Sequence, residues 1–164
     1  MATILEIKKA NAVNAYQNAD AKGKKLLEDL IGKDILKPEK ITDRIKTFND
    51  VLDELGEGVT ENVRLLLEYN GVDTDMVSAK AYMQIVLIAR ALNEGWTPDW
   101  TNTSQYKYVP WFKHKSGFGL SVGDCVSGNS FTLVGSRLCF KSRELAEYAA
   151  QQFADIYNDF LTIK

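Results

Sequence analysis

The sequence predicts an α+β fold: helices first, then a small antiparallel sheet of three to four strands closed by a C-terminal helix. Three observations predict it. Apolar residues recur at helical spacing up to Asn93 and again after Ser142. The stretch between is rich in aromatic and β-branched residues punctuated by glycine, as strands and their turns are. Charge divides in the same way: from Trp100 to Arg143 there are six bases and one acid, a net of +5 in a chain whose total is −2. At 164 residues the chain fits a single domain, with a helical part over 1–95 and a sheet-plus-helix part over 96–164.

The first helix is expected from Asn11 to Ile31, with Gly32 as its C-terminal cap. Ala12, Ala15, Ala19 and Gly23 line one face with small residues, and Tyr16, Leu26, Leu27 and Leu30 extend a stripe expected to be buried. Pro38 interrupts, and Lys40 to Ile45 forms a short link. Thr47-Phe48-Asn49-Asp50 has the form of a capping box, opening a short helix that ends at Gly56. Thr60 can cap the next helix, with Val63, Leu66 and Leu67 inward and Asn70-Gly71 as its stop. Thr74 begins a long helix running from Asp75 to Asn93 and stopped by Gly95. Its stretch from Ala81 to Leu92 is the most apolar in the chain, yet it is broken by Gln84 and Arg90 and is too short to cross a bilayer. It predicts a helix buried on most sides, with Trp96 largely buried against its end.

Trp96-Thr97-Pro98-Asp99-Trp100 predicts a turn, because Pro98 pushes Thr97 out of helical geometry. Gln105 to Phe112 predicts a strand whose Pro110 requires an edge or an irregular end. Lys115-Ser116-Gly117 predicts a hairpin turn into a strand from Phe118 to Val122, after which Gly123, Gly128 and Asn129 mark a looser connection. Phe131 to Val134 and Arg137 to Lys141 predict two further short strands. Ser142 caps the final helix, with Glu144 in its first turn, and Leu145, Tyr148, Ala149, Phe153, Ile156, Tyr157 and Phe160 form its apolar stripe.

The inventory for chemistry is thin. His114 is the one histidine, which excludes a multi-histidine metal site and leaves few acid–base arrangements. Cys125 and Cys139 lack metal-knuckle spacing and are too few for a disulfide framework; a reduced, cytoplasmic setting with two buried thiols is expected. Glu94 and Asp99 flank Trp96 and could share a cleft with Asp124, but nothing in the sequence fixes their separation. Gly117-Phe118-Gly119 does not open a helix, so it is no nucleotide-binding turn. The N-terminus lacks the apolar run of a secretory signal. The expectation is a protein with no catalytic residues, metal or cofactor, and no membrane association.

The candidate binding residues lie in the basic, aromatic segment: Trp100, Tyr106, Lys107, Tyr108, Trp111, Lys113, Lys115, Arg137 and Lys141. Cations interleaved with flat rings suit a surface for a polyanion with exposed bases, and equally one face of a small sheet whose rings are core. Alternation puts Tyr106 and Tyr108 on one face and Lys107 on the other, so a stacking role fails if the last helix covers the tyrosines. Two or more of Trp96, Trp100 and Trp111 are expected to fill the junction between the helical part and the sheet.

Four strings carry a resemblance: Asn14-Ala15-Tyr16 through Gly23-Lys24-Lys25-Leu26-Leu27-Glu28; Ile41 to Phe48; Ala91 to Trp96 with Pro98-Asp99-Trp100; and Gly135 to Ser142. Together the chain resembles small uncharacterised proteins encoded by phages and prophage-like elements of gut bacteria. The resemblance implies a phage or mobile-element origin and transfers no site residue. The sequence thus leads to a non-catalytic protein-interaction module of phage type, self-associating or partner-binding through the segment from Trp96 to Phe112. The alternative is a binder of single-stranded nucleic acid or nucleotide that uses the basic, aromatic sheet surface.

Overall fold

A computed structural model describes residues 7–33, 35–36, 40–114, 120–129 and 134–163, with backbone only at 10, 114 and 120–124. The chain divides into two compact units, 1–40 and 41–164. The expected hairpin turn at Lys115-Ser116-Gly117, Pro38 and most of the expected strand at Phe131 to Val134 lie outside the described residues.

The first unit carries two helices, not one: α1 over Lys9–Asn18 and α2 over Ala21–Ile31. The break falls at Asp20, whose extended backbone lets its carboxylate accept the Gly23 N–H at 2.8 Å and so start a new helix. Gly32 stops α2 as expected, at a φ of 92° that favours glycine. Tyr16 on α1 donates its hydroxyl to Glu28 on α2, and Lys24 lies over the Tyr16 ring. The stripe expected to be buried is not: Leu26 and Leu30 are exposed, and α2 contains no buried residue.

The second unit opens with one helical turn, α3 over Ile41–Arg44, where a link was expected; Ile41 and Ile45 are buried there. The capping box is present in full. The Thr47 hydroxyl accepts the Asp50 N–H, and the Asp50 carboxylate accepts the Thr47 N–H at 2.7 Å and the Lys46 N–H at 2.9 Å, starting α4 over Phe48–Leu55. These bonds hold the Asp50 carboxyl below its ordinary value of 3.8, the Lys46 amide contributing most. A depressed carboxylate stabilises the fold above its unfolded value and loses that contribution as pH falls through the folded one. Asp50→Asn is therefore expected to be less stable than wild type at neutral pH, with the gap closing on acidification below 3.8; unfolding midpoints across that range check it.

Gly56 ends α4, a 3-10 turn over Gly56–Gly58 follows, and α5 spans Glu61–Leu67, earlier in its stop than Asn70-Gly71. Thr60 stands at the N-cap of α5 but its side chain makes no capping bond. The long helix, α6, runs over Thr74–Leu92 and is capped one residue earlier than expected, by Asp73, which accepts the Met76 N–H at 2.9 Å. Ala81, Ile85 to Ala89, Ala91 and Leu92 are all buried, so α6 is the axis of the core. Around it pack Val51 of α4, Ala149 and Tyr157 of the C-terminal helices, and Ile45, Val59 and Phe140 from the segments between elements. Residues on both sides of Gly95 share this core, so the change of sequence character there marks no boundary between compact units. Trp96 is partly buried beyond the end of α6, and Gly95 before it has a φ of 82°.

The sheet has two strands among the described residues, β1 over Lys107–His114 and β2 over Leu120–Gly128, paired antiparallel. β2 is longer than expected because Gly123 does not end it. Trp111 pairs with Asp124 and Phe112 with Val122, so Gly123 is the extra residue of a bulge. The strand expected over Arg137 to Lys141 shrinks to a single bridge, in which Tyr108 and Phe140 exchange both backbone hydrogen bonds at 3.0 and 2.8 Å. Two rungs away on β1 stands Pro110, which has no N–H to offer, and two residues beyond Phe140 stands Ser142, whose backbone already begins a helix. The bridge cannot lengthen in either direction, and Pro110 occupies the outer edge its chemistry requires.

Ser142 caps the next helix as expected, its hydroxyl accepting the Leu145 N–H at 3.3 Å. The expected single helix is two, α7 over Arg143–Gln152 and α8 over Ala154–Leu161, interrupted at Phe153 where φ is −117° and ψ 32°. Nothing in the local sequence explains that break, and the apolar stripe continues through it: Leu145, Ala149, Phe153 and Tyr157 are buried. The Tyr157 ring lies 4.9 Å from that of Phe112, joining α8 to the sheet. Its hydroxyl is buried with no hydrogen-bond partner among the described residues, and burial drives its pKa well above the usual tyrosine range. An unsatisfied buried hydroxyl costs stability, so Tyr157→Phe is expected to stabilise the protein by about 1 kcal/mol. A thermal melt of the variant that shows no gain would contradict this.

Candidate binding surface on the hairpin

Alternation along β1 sends Tyr108, Pro110 and Phe112 to the face covered by the core, and Lys107, Val109, Trp111 and Lys113 to the opposite face. Tyr108 is half-buried with its ring packed against the core, which leaves less of it for stacking. Tyr106, just before β1, is exposed with its ring 6.4 Å from that of Tyr108.

Lys107 is corrected most. Expected as a surface cation, it is 1% exposed. Its ammonium donates to the backbone carbonyls of Asn102 at 3.2 Å and Asn129 at 3.0 Å, and sits 5.0 Å from the centre of the Trp100 ring. Trp100 in turn donates its indole N–H to the Ser136 hydroxyl at 2.7 Å. Lys107 and Trp100 thus fasten three loops together at one end of the sheet, and neither is positioned to serve a ligand.

Lys141 is also occupied. Its ammonium pairs with Glu94 at 2.9 Å, and Arg44 reaches the other Glu94 oxygen at 3.1 Å. Exposed pairs of this kind add little stability, but they remove Glu94 from any carboxylate cleft. Asp99 is engaged as well: the Thr101 hydroxyl and amide hold its carboxyl below the ordinary range, with the Asn102 amide and the Lys107 charge adding to the effect. The Asp124 side chain and Lys115 lie outside what the structure describes. Glu94 is thus engaged by two cations and Asp99 by its own turn.

Sequence reasoning missed Asn93. This buried side chain donates to the Cys139 carbonyl at 2.8 Å and accepts the Lys141 N–H at 2.9 Å. Those backbone groups face away from β1, so the amide takes the place of a further strand and fixes Phe140 in its bridge. Its only sequence signal is a polar residue at the end of an apolar helix. Both cysteines are buried, and burial pushes the Cys139 thiol up, away from the reactive thiolate.

Several residues on and beside the hairpin remain exposed. Trp111 is 49% exposed, and Val126, on the same face of β2 because it pairs with Val109, is 40% exposed. Lys113 is exposed two residues along from Trp111, and Arg137 is exposed on the loop before Phe140. A large ring, a β-branched neighbour and a nearby cation form the kind of cluster that dominates protein interfaces. No group of three or more His, Cys, Asp or Glu among the described residues could hold a metal ion, and no described helix is long and apolar enough to cross a membrane. No protein-family model, curated protein or solved structure matches the chain.

Proposed function

We propose that the protein is a non-catalytic interaction module of phage or mobile-element type, working in the cytoplasm, that binds a protein partner through the outer face of its hairpin. The observation that carries this reading is Trp111, half exposed beside Val126 on a sheet face that the core does not cover. A tryptophan held on a strand has little conformational freedom to lose on binding, which favours it as an anchor. The surrounding residues support a non-catalytic role: the cysteines are buried, Glu94 is paired with cations, and Asp99 is spent on its own turn.

Nucleic acid is the competing ligand, and it retains Tyr106, Trp111, Lys113 and Arg137 after losing Lys107 and part of Tyr108. Fluorescence anisotropy with a labelled single-stranded oligonucleotide at low and moderate salt separates the two. A phosphate-dominated complex weakens steeply with salt. The protein-binding reading expects no oligonucleotide binding even at low salt. Trp111→Asp is expected to leave the protein folded, at some cost in stability because the new carboxylate faces Asp124 across the hairpin, while abolishing partner binding. Denaturant midpoints check the first half of that statement.

A further inference from the structure

The first unit presents a second surface, independent of the hairpin. α2 has 11 residues and buries none of them, although helices this short need tertiary packing to persist in water. Its α1-facing side is taken by Lys24 and Glu28, which engage Tyr16. Its other side exposes Leu26 to 59% and Leu30 to 71%, one helical turn apart, in line with Gly23. Along their flank, two turns apart and both exposed, stand Lys22 and Asp29.

The charge order of α2 is the reverse of what a lone helix favours. Lys22, Lys24 and Lys25 occupy its N-terminal half with no acid in the first turn, and Glu28 and Asp29 its C-terminal half with no base in the last. The helix dipole disfavours both placements. A second copy of the same helix, running antiparallel, makes both placements favourable, because each basic half then lies beside the other copy's acidic half and negative dipole end.

We propose that α2 is a self-association face on which two copies of the chain pair antiparallel about a two-fold axis near the level of Lys25 and Leu26. An axis there sets Lys22 of each copy level with Asp29 of the other. Leu26 meets its counterpart at the axis, and Leu30 of each copy lies over the first turn of the other, beside Gly23. A parallel pair would set like charges side by side along its whole length. The second copy is thus the occupant that both the apolar line and the inverted charges fit.

Sedimentation velocity on the full chain tests this. The wild type is expected to dimerise with rising concentration, and Leu30→Glu to remain monomeric with its far-ultraviolet circular dichroism retained. Lys22→Glu and Asp29→Lys should each weaken the dimer by about tenfold or more, because each turns two attractions into two repulsions. Mixed in equal amounts, these two variants are expected to pair with an affinity close to that of wild type. That complementation would not arise from a general loss of folding, so it holds even if Leu30→Glu unfolds the first unit. A wild type that stays monomeric throughout, or a mixture no more associated than either variant alone, overturns the proposal. Trp111→Asp is expected to leave the dimer intact, so failure here leaves the hairpin reading standing, and the reverse.

Discussion

Lys107→Ala is expected to destabilise the protein by about 3 to 5 kcal/mol, more than any change at an exposed lysine of the same segment. The side chain is 1% exposed, and its ammonium makes two hydrogen bonds to main-chain carbonyls and one contact with an indole face. Hydrogen bonds to a charged group contribute about 1.5 to 3 kcal/mol each, and alanine would also leave a cavity. Asn102 and Asn129 would lose the donor that their carbonyls share, and Trp100 would lose the cation beneath its ring. Lys107→Met restores much of the volume without the hydrogen bonds, so it should recover only part of the loss. Denaturant midpoints of the two variants measure both quantities. A methionine variant as stable as wild type would show that the lysine acts by packing alone.

Asn93→Ala is the second large effect, at about 2 to 4 kcal/mol. The Asn93 amide satisfies the Cys139 carbonyl and the Lys141 N–H, and its loss orphans both. An unsatisfied buried backbone group costs about 1 to 3 kcal/mol. Asn93→Asp separates the two bonds. A carboxylate can still accept from Lys141, but it cannot donate to the Cys139 carbonyl and meets that oxygen with like charge. It should therefore be no more stable than the alanine variant at neutral pH. Hydrogen exchange at the Phe140 amide, which is bonded to Tyr108, should accelerate in both variants if Asn93 holds that segment in place.

What the sequence made legible was local. The Thr47 and Asp50 capping box, the Ser142 cap and the glycine stops at Gly32 and Gly56 each depend on residues a few positions apart, and each stands where the pattern placed it. Asp20 carried a readable cap signal that the continuous small-residue stripe around it obscured. The helix break at Phe153 had no comparable signal, since the stripe runs through it unchanged. The mixed helix-and-strand architecture was legible from composition, but the number of strands was not. Whether Arg137 to Lys141 forms a strand turns on Pro110 and Asn93, which are distant in sequence.

The candidate site shows the same division. Alternation gave the correct opposition of Lys107 and Tyr108 across β1, because that is a property of the strand itself. It could not reveal that Asn102, Asn129 and Trp100 close over the Lys107 end while the Trp111 end stays open. Covering a sheet face is a tertiary event, so a basic, aromatic segment that looks uniform in sequence separates into structural cations and exposed ones.

The role assigned to the exposed end is tested most directly by affinity capture of the intact protein from lysate of its own cells after nuclease treatment, comparing wild type with Trp111→Asp. The expected result is a protein retained by wild type and lost from the folded variant. Retention unchanged by Trp111→Asp, or retention that nuclease removes, would contradict a protein-binding hairpin.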